Sequence, residues 1–365
     1  MTWQAGQLEP VDVVTVARVV SSHTLGLTLM HEHLFLDARG AVTSAEETEV
    51  DALRDRAVRV EDLALLREHP YSSFDNCLLD DAAVAATELA DFVARGGGTV
   101  VDVSCWGIGR DPDGLLAVAR ATGLNVVMGT GLYLERSHGA WAAELDVASI
   151  AERIIMECRN GVSVPCAEGE MRVRPGILGE IGVSPDFTNA ERASLRAAAR
   201  AQLATGLPLM VHLPGWQRRG HEVLDVCEGE GVDPGAIVLA HMDPSVGDVE
   251  YQASLGARRT HLEFDGVGMG LSFPGEGCMP CDEEIARGLV QLFERGHGDQ
   301  VLLSQDVFLK VQLRRYGGNG YAHVLRSFLP RLRRLGLSHT AAEAIVIEHP
   351  RRVFEYAANT RRQSV

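Results

Sequence analysis

The chain has 365 residues, 46% of them apolar and 5% aromatic, which suits a globular protein with a sizeable core and excludes a disordered one. A formal charge of -16 repels phosphate at long range. It therefore argues against a nucleic-acid or anionic-membrane surface and leaves a small molecule as the expected partner. There is no apolar run of about 18 residues or more. The opening residues 1–6 lack the basic start of a signal peptide, so the expected location is the cytoplasm.

The first strand reads from the apolar run 25–30, which closes on His31-Glu32-His33. Alternate side chains of a strand share a face, so the two imidazoles point one way and Glu32 the other. That is a two-nitrogen claw for a divalent metal. Residues 38–80 are long, charged and partly helical, and read as an insertion. A helix over 82–95 leads to a strand over 98–104, where Asp102 reads as structural, paired with an arginine or with loop amides. A strand over 124–130 and a helix over 141–157 follow. The strand 175–181 contains Glu180, an acid in an apolar run. Buried and unpaired it would cost several kcal/mol, so it must meet a cation or a metal.

Beyond it come a helix over 189–204, a strand over 207–213 carrying His212, and a helix over 219–229. A strand over 237–242 carries His241, and a strand over 260–266 precedes a helix over 283–296. The strand 301–306 ends on Asp306, and helices are expected over 323–334 and 341–357. Asp243 is either a partner for a ligand imidazole or a loop cap. The remaining histidines, among them His69, His261, His323 and His349, read as surface or helix-end residues.

Eight strands alternating with helices predict a (β/α)8 TIM barrel, one domain spanning 1–365 with the insertion 38–80 over its mouth. In such a barrel the strand ends share one rim, so His31, His33, Glu180, His212, His241 and Asp306 converge. Each histidine alone reads as an ordinary hydrogen-bonded residue; together they predict a binuclear metal site. Trp106, Tyr133, Trp216 and Phe308 lie just past strand ends, where they would wall an apolar pocket. Arg218 or Arg219 would meet an anionic substrate group, or else be solvated surface. The glycine-rich run 316–321 reads as a mobile lid. Seven cysteines at irregular spacing give no disulfide framework, and Cys278-Met279-Pro280-Cys281 reads as a loop with incidental thiols.

Several motifs taken together resemble the phosphotriesterase family of the amidohydrolase superfamily, and within it the phosphotriesterase-related branch. They are Met30-His31-Glu32-His33-Leu34, Gly97-Gly98-Thr99-Val100-Val101-Asp102-Val103, Gly107-Ile108-Gly109-Arg110-Asp111-Pro112, Gly129-Thr130-Gly131, Gly179-Glu180-Ile181-Gly182, Tyr316-Gly317-Gly318 and Gly320-Tyr321. The resemblance implies that His31, His33 and Asp306 hold the more buried of two metals and that His212 and His241 hold the more exposed one. It places the bridge between them at Glu180, where members with phosphotriesterase activity use a carboxylated lysine. Lys310, the only lysine in the chain, lies in the loop after Asp306 and cannot take that place.

The expected activity is attack of a metal-bridging hydroxide on a lactone, carboxylic ester or N-acyl amide, with Asp306 orienting it and taking its proton. Hydrolysis of organophosphate triesters is the alternative. The donors suit two Zn2+, with Co2+, Ni2+ or Mn2+ compatible. A homodimer is the expected assembly.

Overall fold

Eight parallel strands follow the predicted apolar runs in the computed structural model, which describes residues 8–44, 46–166 and 169–363. The reading made of residues 1–6 lies outside them. The strands are β1 (Leu27–Glu32), β2 (Gly97–Asp102), β3 (Asn125–Thr130), β4 (Ile177–Gly182), β5 (Leu209–His212), β6 (Ile237–Leu239), β7 (His261–Phe264) and β8 (Val301–Leu303). They hydrogen-bond in chain order from β1 to β8 as one sheet curled nearly into a closed barrel. The seam between β8 and β1 is made by side chain as well as backbone: His31 N donates to Ser304 Oγ (3.0 Å) and Asp306 N to His31 O (3.2 Å).

The intervening helices are α1 (Ala82–Ala94), α2 (Pro112–Thr122), α3 (Val147–Asn160), α4 (Asn189–Thr205), α5 (Gly220–Gly229), α6 (Val249–Gly256), α7 (Asp282–Glu294) and α8 (Leu329–Arg334); α9 (Glu348–Gln363) follows. Their starts are written in the sequence. Asp81 accepts from Ala83 N and Val84 N at α1, Asp111 precedes Pro112 at α2, and Thr188 and Glu191 cap each other's backbone at α4. The helix expected over 141–157 is split. Asp146 accepts from Ser149 N and so restarts the chain at Val147, after a short helix Ala140–Ala143.

Inside the barrel, Met30, Val101, Val127, Ile177, Met210, Val238 and Leu302 form one buried cluster, with Val11, Val13 and Phe354 packed into it. These residues alternate along their strands with outward ones such as Val100, Val126, Leu209, Val211 and Leu239, which meet the helices. The interior is therefore a packed core, and open space is left at the C-terminal ends of the strands.

One largely buried ion pair ties the outer layer together. Arg110 Nη1 lies 2.6 Å from Glu157 Oε1 on α3, and Thr130 Oγ1 and Trp106 Nε1 donate to the same carboxylate. Burial pushes the Glu157 carboxyl up, but Arg110 and these donors outweigh it and hold the group below its usual range. Glu157→Gln leaves the guanidinium short of its counter-charge and is expected to lower unfolding stability by about 3 kcal/mol at neutral pH. Because the folded carboxyl titrates below its unfolded value of about 4.3, the pair contributes fully above that pH and is lost as pH falls through the folded value. Urea midpoints of both proteins at pH 7 and pH 3 check this: the gap between them should shrink in acid.

Candidate metal centre

The strand ends depart from regular geometry where the predicted ligands sit. β1 shifts register between Leu29 and Glu32, so Met30 faces the core while His31 and His33 reach the rim. β4 shifts between Leu178 and Ile181. Gly179 there has φ +117°, and a Cβ on it would lie 2.3 Å from Met210 O, so glycine is required for the turn that presents Glu180. β6 and β8 end earlier than the apolar runs suggest, because the next residues leave the ladder. His241 (φ +58°) and Asp306 (φ +46°) both occupy the left-handed region, a conformation costing non-glycine residues about 1 kcal/mol or more.

All six residues meet. His31 Nε2, His212 Nδ1 and His241 Nε2 lie 3.0, 3.2 and 3.0 Å from Glu180 Oε1, and His33 Nε2 lies 3.4 Å from Asp306 Oδ1. Three overlapping groups each bring three donor atoms within 4.8 Å of one another: His31, His241, Asp306; His31, His33, Glu180; and Glu180, His212, His241.

The surrounding acceptors decide which nitrogen of each ring is free. Ser104 Oγ spends its hydrogen on Phe35 O (2.7 Å), so at 2.8 Å it accepts from His33 Nδ1, which leaves the Nε2 lone pair to the site. His241 Nδ1 faces Asp265 Oδ1 at 2.8 Å, and His31 Nδ1 faces Glu263 Oε2 at 3.3 Å and Asp265 Oδ2 at 3.4 Å. Their Nε2 lone pairs therefore also point inward, and His212 offers Nδ1. This is how imidazoles are arranged around a cation, with the outer nitrogen held by an acceptor.

The electrostatics agree. Burial pushes the Glu180 carboxyl up, but the His212 and His31 rings outweigh it and hold the group well below the carboxylate range. Burial lowers the His31 and His241 imidazoles, yet Glu180 and Asp265 at the first and Asp265 at the second raise both well above the usual value. Burial depresses His212. His31 Nε2 is buried without a hydrogen bond, and the His212 and His241 nitrogens face each other at 2.7 Å. Such an anionic pocket of converging lone pairs demands positive charge, and a divalent metal fits the donor set.

Asp102 meets loop amides, as expected: its carboxylate accepts from Leu34 N (2.6 Å) and Ser104 N (3.0 Å). Asp243 is a cap, accepting from Asp265 N and Gly266 N, both at 3.0 Å. The acids that hold the imidazoles are Glu263 and Asp265, which sequence reasoning passed over. The signal was present, since both interrupt the apolar run 260–266 as Glu180 interrupts its own. Glu32, facing away from the imidazoles, accepts from Ser304 Oγ, Gln305 N, Gln305 Nε2 and Val307 N, on both sides of Asp306.

Above these residues opens a cavity of about 770 Å3, lined in part by Asp37, Thr43, His69 and Tyr71 from the segment after β1. Tyr133, Trp216 and Phe308 line it as expected. Trp106 and Arg218 do not: the Trp106 indole donates to Glu157 and packs on Trp141, and Arg218 turns to Asp248 (3.4 Å) and over the Tyr251 ring. Arg219 is spent on Glu222 and Pro185 O. The run 316–321 is no lid either, being absent from the lining. Tyr321 is buried and donates to His33 O (2.9 Å), and Gly318 packs on the backbone of Val311 and Gln312. Of the other histidines, His261 is buried in β7, His349 binds Val301 O (2.7 Å), His323 binds Asp282 (2.7 Å) and His69 lines the cavity. His69, His323 and His349 do sit at helix ends, the last two of them buried; only His261, inside a strand, departs from the surface or helix-end reading.

The sequence profile described as the phosphotriesterase family matches residues 11–354. The chain belongs to the phosphotriesterase family. It is thus a member of a hydrolase family with a (β/α)8 barrel. A relative is the N-acetyltaurine hydrolase of Dictyostelium discoideum, 30% identical over 376 residues covering 97% of this chain and 99% of that protein. Among solved structures, a resiniferatoxin-binding protein from Rhodobacter sphaeroides is 47% identical with a TM-score of 0.89, covering 94% of each chain. A variant of a PTE-like lactonase from Deinococcus radiodurans is 26% identical with a TM-score of 0.71, covering 94% of this chain and 99% of that one.

No helix among the described residues is long and apolar enough to cross a membrane. Cys278 and Cys281 are exposed free thiols, and Cys278 Sγ lies 3.2 Å from Ser272 Oγ.

Proposed function

We propose that this phosphotriesterase-family chain is a binuclear metal-dependent hydrolase of lactones, carboxylic esters or N-acyl amides, acting as one cytoplasmic domain on a small molecule and assembling as a homodimer. The observation that carries the reading is the convergence of three imidazoles, His31, His212 and His241, on one buried carboxylate, Glu180, with His33 beside them on Asp306. His31, His33 and Asp306 would hold one divalent ion, His212 and His241 the other, and Glu180 both; zinc suits the donors, with cobalt, nickel or manganese compatible. Such ions supply Lewis-acid polarisation of a carbonyl and a water acidified toward neutral pH.

The chain's own groups do the rest. Asp306, a buried residue that lines the cavity, orients the attacking water and takes its proton as the acyl carbon is attacked. The Tyr133 hydroxyl, 3.3 Å from His212 Nδ1, stands on the cavity side of the same cluster, where a substrate oxygen would come to rest. Tyr71, Trp216, Phe273 and Phe308 give the walls apolar surface for an acyl chain or ring.

The acyl preference is supported by the carboxylate at the bridge position and by likeness to an N-acetyltaurine hydrolase and a lactonase. A panel of lactones, N-acyl amino acids and aryl phosphotriesters, assayed with metal-loaded protein, tests it. The highest kcat/KM is expected on an acyl substrate, with phosphotriester turnover a side activity. A clear preference for phosphotriesters would overturn the substrate class and leave the alternative, an organophosphate hydrolase.

A further inference from the structure

Among the described residues that line the cavity, Arg136 is the single arginine or lysine, and it makes no ion pair. Its neighbours around the mouth behave differently. Arg39 is bound to Asp37 at 2.7 Å, Arg218 to Asp248 and Arg219 to Glu222. Arg136 is exposed where it lines the cavity, so its guanidinium is open to a ligand.

The loop that carries Arg136 is fixed. Residues Glu135–Ser137 form a single tight turn in which Ser137 N and Oγ both donate to Leu134 O (2.8 Å each). Glu135 N donates to Glu191 Oε1 on α4 (3.2 Å), and His138 Nε2 lies 2.8 Å from Tyr133 O. Gly107 packs so closely under the turn that a Cβ there would lie 2.1 Å from Ser137 O. Arg136 is thus presented from a rigid base three residues after Tyr133, whose hydroxyl touches His212.

Its charge is felt in the site. Burial pushes the Tyr71 and Tyr133 phenols up, and the Arg136 guanidinium opposes that push at both. Of the five acids on the lining, Asp37 is taken by Arg39, Glu180 and Asp306 face the imidazoles, and Glu47 and Glu276 are exposed; none lies within 4.0 Å of Arg136. A guanidinium in this setting is a receptor for a planar or tetrahedral oxyanion, through charge-assisted hydrogen bonds.

We infer that Arg136 receives the anionic end, a carboxylate or sulfonate, of an N-acyl amine whose carbonyl is turned toward Glu180 and Asp306. This rests on the acyl-hydrolase reading above and narrows it to substrates with a negative charge a few bonds from the scissile amide. Rim acids such as Glu47 and Glu276 would meanwhile discourage a second anion.

Three compounds that share an acetyl group and a two-carbon spacer test the assignment: N-acetyl-β-alanine, N-acetyltaurine and the neutral N-acetylethanolamine. With wild-type, metal-loaded protein, kcat/KM should be higher for the two anions, and the better of them identifies carboxylate or sulfonate. In Arg136→Met the anion-to-neutral ratio should fall by about 10- to 100-fold, mostly through KM, the range expected for a charged hydrogen bond. Arg136→Lys should retain part of the preference and show that the fold is intact. An unchanged ratio in Arg136→Met would overturn the inference. If the wild-type protein hydrolyses none of the three and no lactone or ester either, the acyl-hydrolase reading falls, whereas turnover of a lactone or ester alone leaves that reading standing and overturns the amide assignment; calorimetric titration with N-acetyltaurine still decides the role of Arg136. Weaker binding by Arg136→Met supports it, and equal binding, or none by the wild type, overturns it.

Discussion

Glu180→Gln is expected to lose bound divalent metal and hydrolytic rate together. The amide keeps the shape of the side chain but removes the charge on which His31, His212 and His241 converge within 3.2 Å. Two cations held close together repel, and a neutral bridge leaves that repulsion unopposed. Elemental analysis of active wild-type protein should find about two ions per chain, chelation should abolish turnover, and the variant should retain at most one ion. Because the bridging charge belongs to the side chain itself, added bicarbonate should make no difference to the wild-type rate. Unchanged metal content in Glu180→Gln, or a bicarbonate requirement in the wild type, would remove Glu180 from the bridge.

The second large effect is expected at Asp306. Its left-handed backbone and the hydrogen bonds on either side of it aim the carboxylate at His33 Nε2 (3.4 Å) while it still lines the cavity. Asp306→Asn keeps one oxygen for metal but cannot accept a proton, so the variant should hold metal and lose at least about 10²-fold in kcat. Steady-state rates measured beside metal content separate the two roles. Acyl hydrolysis at the wild-type rate in a metal-replete variant would rule out Asp306 as the general base.

Much of this was legible in the sequence. The eight apolar runs locate the eight strands, and the polar residues closing them locate all six residues of the cluster, because a (β/α)8 barrel places every strand's C-terminal end on one rim. The interruption of an apolar run by an acid revealed Glu180, and the same logic applied to Glu263 and Asp265 would have revealed the acceptors behind His31 and His241.

The walls of the cavity were less legible. Trp106 and Arg218 stand in sequence where Tyr133 and Trp216 stand, yet Glu157 and Asp248, each 30 or more residues away along the chain, draw them aside. The glycines of 316–321 suggested motion. Here Gly318 serves close packing, and Tyr321 is an anchor beneath His33. Side-chain partners distant in sequence decide such cases, and no local pattern encodes them.

Glu32 has a wider consequence. Its carboxylate, fully buried, gathers four donors from the stretch Ser304–Val307 and thereby laces the last strand of the barrel to the first. The same lacing sets His31 and His33 opposite Asp306. Closure of the cylinder and assembly of the reactive cluster therefore share the same contacts, which join residues 273 positions apart in the chain. Occupancy of the cluster by cations would tighten that joint by mass action, so that the finished barrel and the loaded barrel favour each other.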